Sequence, residues 1–368
     1  MNVPRESPLR LRVSPLARFL LAAYVLLVAY ASLYPFSGWK ESGASAFAFL
    51  AAPWPRYVTA FDVAANVFGY FPLGLLAVLA LRSHLSAPWA WAAATAMGAA
   101  LSVALEAVQT FLPPRIPSNL DVLANATGTG AGALAGIALA HWLLATGPLQ
   151  RLRTTLFAPG APADFGLMLL GLWFFAQLNP ATLLFGGGDL RDLVSAPPGP
   201  VHAVGTFVLA EALTTGGNLA AVLLLAGDVV RSALPARMRA GVLVAVLAGG
   251  LAVRMLAFAT LMRAENVFAW LTPGAQLGIA AGAGAAALAA LAPRTVRLAL
   301  AAMLLMAATV LVNLAPPNPY LAATLKVWEQ GHFLNFNGLT RLVGVLWPFA
   351  AMGYLIWLAA ARQAERVR

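Results

Sequence analysis

The chain has 368 residues, of which 61% are hydrophobic and only 10% charged, and its mean hydropathy is +0.80. Soluble domains carry about 25% charged residues, so this inventory cannot cover a water-exposed surface; a soluble enzyme, a disordered scaffold and a nucleic-acid-binding domain are excluded. The net charge of +10 reads as topology signal and as attraction to anionic lipid headgroups, and the absence of cysteine removes disulfides, thiolate nucleophiles and soft metal sites.

Apolar stretches of about 20 residues, bounded by Pro, Gly or basic residues, recur along the whole chain. They predict an all-α, polytopic transmembrane bundle of about ten helices. The predicted spans are 16–34, 62–81, 89–112, 121–144, 165–185, 206–230, 241–262, 273–291, 298–314 and 342–361. The first has a basic front and Ala29-Tyr30-Ala31, but its apolar run continues to Leu33, so it is expected to stay as an uncleaved anchor. The sixth is interrupted at Thr214-Thr215-Gly216-Gly217, where a break or kink is expected. With an even number of spans and the amino terminus inside, 15 of the 23 Lys and Arg fall on the cytoplasmic side, seven fall outside, and Arg254 lies within a span. The positive-inside rule therefore favours a multi-pass protein with both termini cytoplasmic.

Three segments follow from this pattern: a four-helix unit over 1–146, a cytoplasmic connection over 147–163, and a second unit of about six helices over 164–368. The longest polar connections, 35–61 and 316–341, contain Trp39, Trp54, Tyr57, Trp328, Phe333 and Phe336, aromatics suited to the outer lipid interface.

Polar side chains inside lipid are costly, and here they cluster. Asp62 and Asn66 share one face at the start of the second span. Ser102, Glu106 and Gln109 share a face of the third, with Glu106 about 9 Å below its outer end. A short loop carrying Arg115 follows, and the fourth span opens with Asp121 and Asn125 and continues as Gly128, Gly132 and Gly136. That small-residue spacing predicts close approach of another helix. Three carboxylates, one Arg and several amides thus converge in the outward third of the bilayer. Glu106 and Asp121 are the candidate catalytic acid and base, and Arg115, with Asp62, Asn66, Gln109 and Asn125 around it, the candidate binding group for a phosphate or carboxylate. The alternative is a structural network in which Arg115 neutralises Asp121 and the amides satisfy helix ends.

At these residues the chain resembles the VanZ-like family of small bacterial membrane proteins. The resemblance rests on Glu106-Ala-Val-Gln109 through Arg115-Ile-Pro-Ser118-Asn-Leu-Asp121 to Asn125-Ala-Thr-Gly128, preceded by Asp62, Asn66 and Phe71-Pro72-Leu73-Gly74, and covers about residues 16–144. Family members often carry Lys after the first Asp and His at the position of Asn66; this chain has Val63 and Asn66. The resemblance implies a bacterial inner-membrane protein and, through the founding member, a link to tolerance of the glycopeptide antibiotic teicoplanin. It implies no molecular mechanism.

A shift of 151 residues sets Gln109 to Leu112 over Thr260 to Arg263 and Asp121 over Thr272, and a shift of 152 sets Asn66 over Asn218. This is compatible with a degenerate parallel duplication and equally with unrelated helices of shared hydrophobicity. In the second half, Glu211 and Arg254 are expected to form a structural ion pair. The four histidines lack metal-ligand spacing, no P-loop or nucleophile motif occurs, and Gly186-Gly187-Gly188-Asp189 reads as a helix end and turn; no metal or cofactor is implied. The expected partners are membrane lipids and a lipid-linked cell-wall or polysaccharide precursor, with no nucleic acid. The pattern leaves enzyme, transporter or flippase, and non-catalytic structural protein open.

Overall fold

The computed structural model describes residues 15–41, 43, 45–144, 147–191, 203–260, 267–315 and 334–367. The described elements are helical, in the order α1 (Leu16–Leu33), a 3-10 turn (Ala48–Ala51), α2 (Ala60–Leu81), α3 (Ala87–Gln109), α4 (Asn119–Leu144), α5 (Pro148–Leu156), α6 (Ala161–Ala176), α7 (Val204–Val229), α8 (Ala236–Thr260), α9 (Pro273–Ala289), α10 (Arg294–Leu314) and α11 (Leu334–Val367). Eight of them, α1 to α4, α7, α8, α10 and α11, are long and apolar enough to cross a membrane. The chain divides into two compact units, Met1–Thr155 and Leu156–Arg368, with the boundary at the end of α5.

Two sequence expectations need correction, and a third helix is two residues shorter than expected. The predicted span 165–185 is a helix only to Ala176, because Asn179-Pro180 and the glycine run from Gly186 cannot continue it. The predicted break at 214–217 is absent, and α7 runs unbroken from Val204 to Val229. Gly216 and Gly217 are held by close neighbours from α9 and α10, so their low helix propensity is overridden by packing. The predicted span 273–291 is the 17-residue α9, capped at its start by Thr272, whose side-chain oxygen accepts from the Ala275 N–H. Of the predicted interfacial connection 316–341, residues 316–333, with Trp328 and Phe333, lie outside the described residues, whereas Phe336 belongs to α11.

In the first unit α2 and α4 form the central pair. A Cβ at Gly128 would lie 2.2 Å from the Val67 carbonyl oxygen, one at Gly132 1.9 Å from that of Phe71, and one at Gly74 1.9 Å from that of Thr129. The two backbones therefore touch, as the spacing of the glycines predicts. Tyr24 of α1 donates its hydroxyl to the Gly69 carbonyl at 2.8 Å, and Trp91 of α3 donates its indole N–H to that of Gly130 at 3.1 Å.

The second unit builds the same kind of seam between α7 and α9. A Cβ at Gly274, Gly278 or Gly282 would meet the carbonyls of Val208, Ala212 and Gly216 at 2.9, 2.8 and 2.6 Å. In both units glycines four residues apart on the later helix face carbonyls four residues apart on the earlier one. The shift of 151 sets Gly128 and Gly132 over Ile279 and Ala283, one residue out of step with this row.

Candidate functional site

The polar residues of the first unit gather where α1 ends, α3 ends and α4 begins. Thr59 and Asp62 open α2 with a capping box: the Asp62 N–H donates to Thr59 Oγ1 at 3.1 Å, while the Thr59 N–H and hydroxyl donate to Asp62 Oδ2 at 3.2 and 2.7 Å. Asp62 is exposed and is first of all a cap. One turn deeper, the Asn66 side chain lies close to the half-buried Asp121 carboxylate, with Asp62 in electrostatic range.

Glu106, 5% exposed, projects from the last turn of α3 across to the start of α4, where its Oε2 accepts the Ser118 N–H at 2.9 Å. The first amides of a helix lack partners within it and carry partial positive charge, so an anion is stabilised there. Asp121 and Arg115 both lie in electrostatic range of Glu106. Behind Glu106, Ser102 Oγ accepts from Asn125 Nδ2 at 2.9 Å, and the buried Tyr70 hydroxyl pairs with Ser102 and faces Glu106.

Arg115 and Gln109 close the opposite side. Arg115 Nε and Nη2 donate to the Tyr34 carbonyl at 3.0 and 2.8 Å, Nη2 donates to that of Ala31 at 3.1 Å, and Gln109 Nε2 donates to that of Ser32 at 2.9 Å. Both side chains thus satisfy carbonyls that the end of α1 leaves without helical partners. Burial pushes the Arg115 guanidinium below its ordinary range, and the Glu106 carboxylate pulls it back up.

A non-helical cover lies over these helix ends. Lys40 N–H donates to the Phe111 carbonyl at 3.1 Å, Thr110 Oγ1 to that of Ala46 at 3.2 Å, and Asn119 Nδ2 to that of Ala52 at 2.7 Å, while Phe49 is buried beneath. Trp39, Trp54 and Tyr57 of the same stretch are exposed.

The structure therefore brings Asp62, Asn66, Glu106, Gln109, Arg115, Asp121 and Asn125 to one end of one unit. It assigns three of them, Asp62, Gln109 and Arg115, to helix ends as well. Sequence reasoning missed Tyr70 and the Ser118 amide. Tyr70 follows Asn66 by one turn on the same face, which was the available signal; a backbone amide leaves none.

In the second unit the Arg254 guanidinium donates to the carbonyls of Asn179 and Thr182 and stands 5.8 Å over the Phe258 ring. Glu211 lies in electrostatic range of Arg254, and its carboxylate lies close to the Thr272 side chain at the start of α9. The expected ion pair is thus one arm of a larger arrangement whose direct contacts to Arg254 are carbonyls. Two bidentate ion pairs of this unit join Arg294 of α10 to Asp228 of α7 and Arg191 to Asp189. Among the described residues no group of three or more His, Asp or Glu could hold a metal ion.

No curated protein and no solved structure matches the chain. A family model does match, that of VanZ/LLP1, over residues 18–143, so this segment, which carries the Glu106–Asp121–Arg115 cluster, is the VanZ-like part of a membrane-type helical protein.

Proposed function

We propose that the VanZ-like unit acts in the bacterial cell envelope on a lipid-linked or anionic surface substrate, and that it does so at the cluster around Glu106. The observation that carries this reading is the convergence of two differently placed carboxylates. Glu106 is buried and holds a helix-end amide, Asp121 is half-buried beside Asn66, and a guanidinium lies within electrostatic range of Glu106. Two carboxylates in unlike surroundings can divide acid and base roles, and a neighbouring cation favours an anionic ligand. The basic residues support an inner-membrane orientation with both termini cytoplasmic, which places the cluster toward the outer leaflet. The link of the family's founding member to teicoplanin supports an effect on glycopeptide susceptibility.

Teicoplanin susceptibility and lipid-carrier profiles of cells expressing the chain, Glu106→Gln or Asp121→Asn at matched membrane levels test this. Loss of the effect with folded protein is expected, and the lipid that accumulates identifies the substrate class.

A structural reading has its own support, since Arg115 and Gln109 are spent on the end of α1. It predicts that both substitutions leave the cellular effect intact. A flippase predicts instead transbilayer movement of a labelled lipid in vesicles holding the purified chain.

A further inference from the structure

Helix α7 carries two faces of opposite chemistry. Leu213, Gly216, Gly217 and Ala220 line an apolar cleft of about 300 Å³ with α9 and α10. Glu211, Thr214, Thr215 and Asn218, at steps of three and four, form a polar stripe on another face, and all four are buried.

The stripe meets backbone that is not helical. After α6 ends at Ala176, residues 177–190 run without regular structure, and Leu184, Phe185, Gly186, Gly187 and Gly188 are buried. The Leu184 carbonyl accepts from Thr215 Oγ1 at 3.1 Å, at a point about 17 Å along the axis of α7 from its start. The segment therefore reaches deep into its own unit. Arg254 of α8 holds its carbonyls at Asn179 and Thr182. From α10, Thr309 lies against Gly188, where a Cβ would come 3.1 Å from Thr309 Oγ1, and Asn313 Nδ2 donates to the Gly188 carbonyl at 2.7 Å.

Within this segment and on the helices that hold it, Thr214 Oγ1, Asn218 Oδ1, Thr309 Oγ1, Asn179 Nδ2 and Arg254 Nε are buried and have no protein partner. Their residues are 5% exposed or less. Irregular backbone at membrane depth is tolerated where protein or water satisfies it, and an orphaned polar atom in a low-dielectric core is costly. Both donors and acceptors are unpaired here, and Glu211 and Arg254, of opposite charge, stand at its border. A lone anion or cation would pair with only half of these groups; a hydroxylic ligand donates and accepts.

We propose that the second unit holds a hydrated polar site, formed by residues 177–190 and the Glu211–Thr214–Thr215–Asn218 stripe, that takes water as its ligand in the membrane interior. This stands independently of any activity at Glu106.

The chain has no cysteine, so single cysteines can be introduced without removing native ones. In the full chain reconstituted in liposomes, Thr214→Cys, Asn218→Cys and Thr309→Cys are expected to react with a small, membrane-impermeant thiosulfonate at least tenfold faster than Leu209→Cys and Leu256→Cys. The two control positions are 60% and 53% exposed on the outer surface of their helices, where a thiol in lipid stays un-ionised. The unsubstituted chain gives a second readout, because radiolysis of bound water oxidises adjacent rings: Phe185, 2% exposed, should be modified despite its burial. Either signal upholds the proposal. Absence of both in monodisperse protein overturns it.

Discussion

The carboxylate of Glu106 takes the N–H of Ser118 at 2.9 Å, so a residue at the end of α3 completes the start of α4. The same side chain is the best candidate for chemistry, and its two duties can be separated. In Glu106→Gln the amide oxygen still accepts from Ser118, so thermal stability in detergent should stay within about 1 kcal/mol of the parent while the cellular effect is lost. In Glu106→Leu the amide is orphaned, and a loss of about 1–3 kcal/mol is expected. Equal stability of the two variants would remove the helix-end role.

Arg115 and Gln109 together occupy the carbonyls of Ala31, Ser32 and Tyr34. Arg115→Met and Gln109→Leu should each lower stability by about 1–3 kcal/mol, measured as a shift of the unfolding midpoint. If Arg115→Met unfolds like the parent yet abolishes the cellular effect, its place is with the substrate and not with α1.

Gly132 tolerates no side chain, because a Cβ would lie 1.9 Å from the Phe71 carbonyl oxygen. Gly132→Ala should therefore cost at least about 1–3 kcal/mol and reduce the yield of folded protein. Gly227→Ala is the matched control: it lies in a helix with nothing within 4 Å of its Cβ position and should be neutral or stabilising by up to about 1 kcal/mol.

Arg254 serves carbonyls first and Glu211 second. Removing one of two buried charges strands the other, so Arg254→Leu should be rescued in part by Glu211→Gln, with a coupling of about 0.5–3 kcal/mol in a double-mutant cycle. Rescue stays incomplete because the Asn179 and Thr182 carbonyls remain without a donor. Full recovery would show that the ion pair alone matters, and no recovery would reject the coupling.

Composition determined that the chain is a membrane-type protein, since 10% charged residues cannot coat a soluble surface, and the recurring apolar stretches of about 20 residues made it polytopic and helical. Periodicity placed α1 to α4 within a few residues and predicted the glycine contact of α4, because helix faces and small-residue rows are local properties of a sequence. The gathering of Asp62, Asn66, Glu106, Arg115 and Asp121 was legible for the same reason: four of them sit near the ends of membrane-length helices that follow one another in the chain, and Arg115 sits in the short loop between α3 and α4. What only the tertiary structure decided is which partner each polar group takes. Arg115 finds α1 carbonyls 81 and 84 residues away, and Arg254 finds carbonyls 75 and 72 residues away. Backbone groups of this kind leave no mark in side-chain identity. The continuity of α7 through Thr214 to Gly217 and the course of the unwound chain after α6 belong to the same class. Packing against neighbours sustains glycines in the first, donors from other helices hold the carbonyls of the unwound chain in the second, and neither set of neighbours is adjacent in sequence.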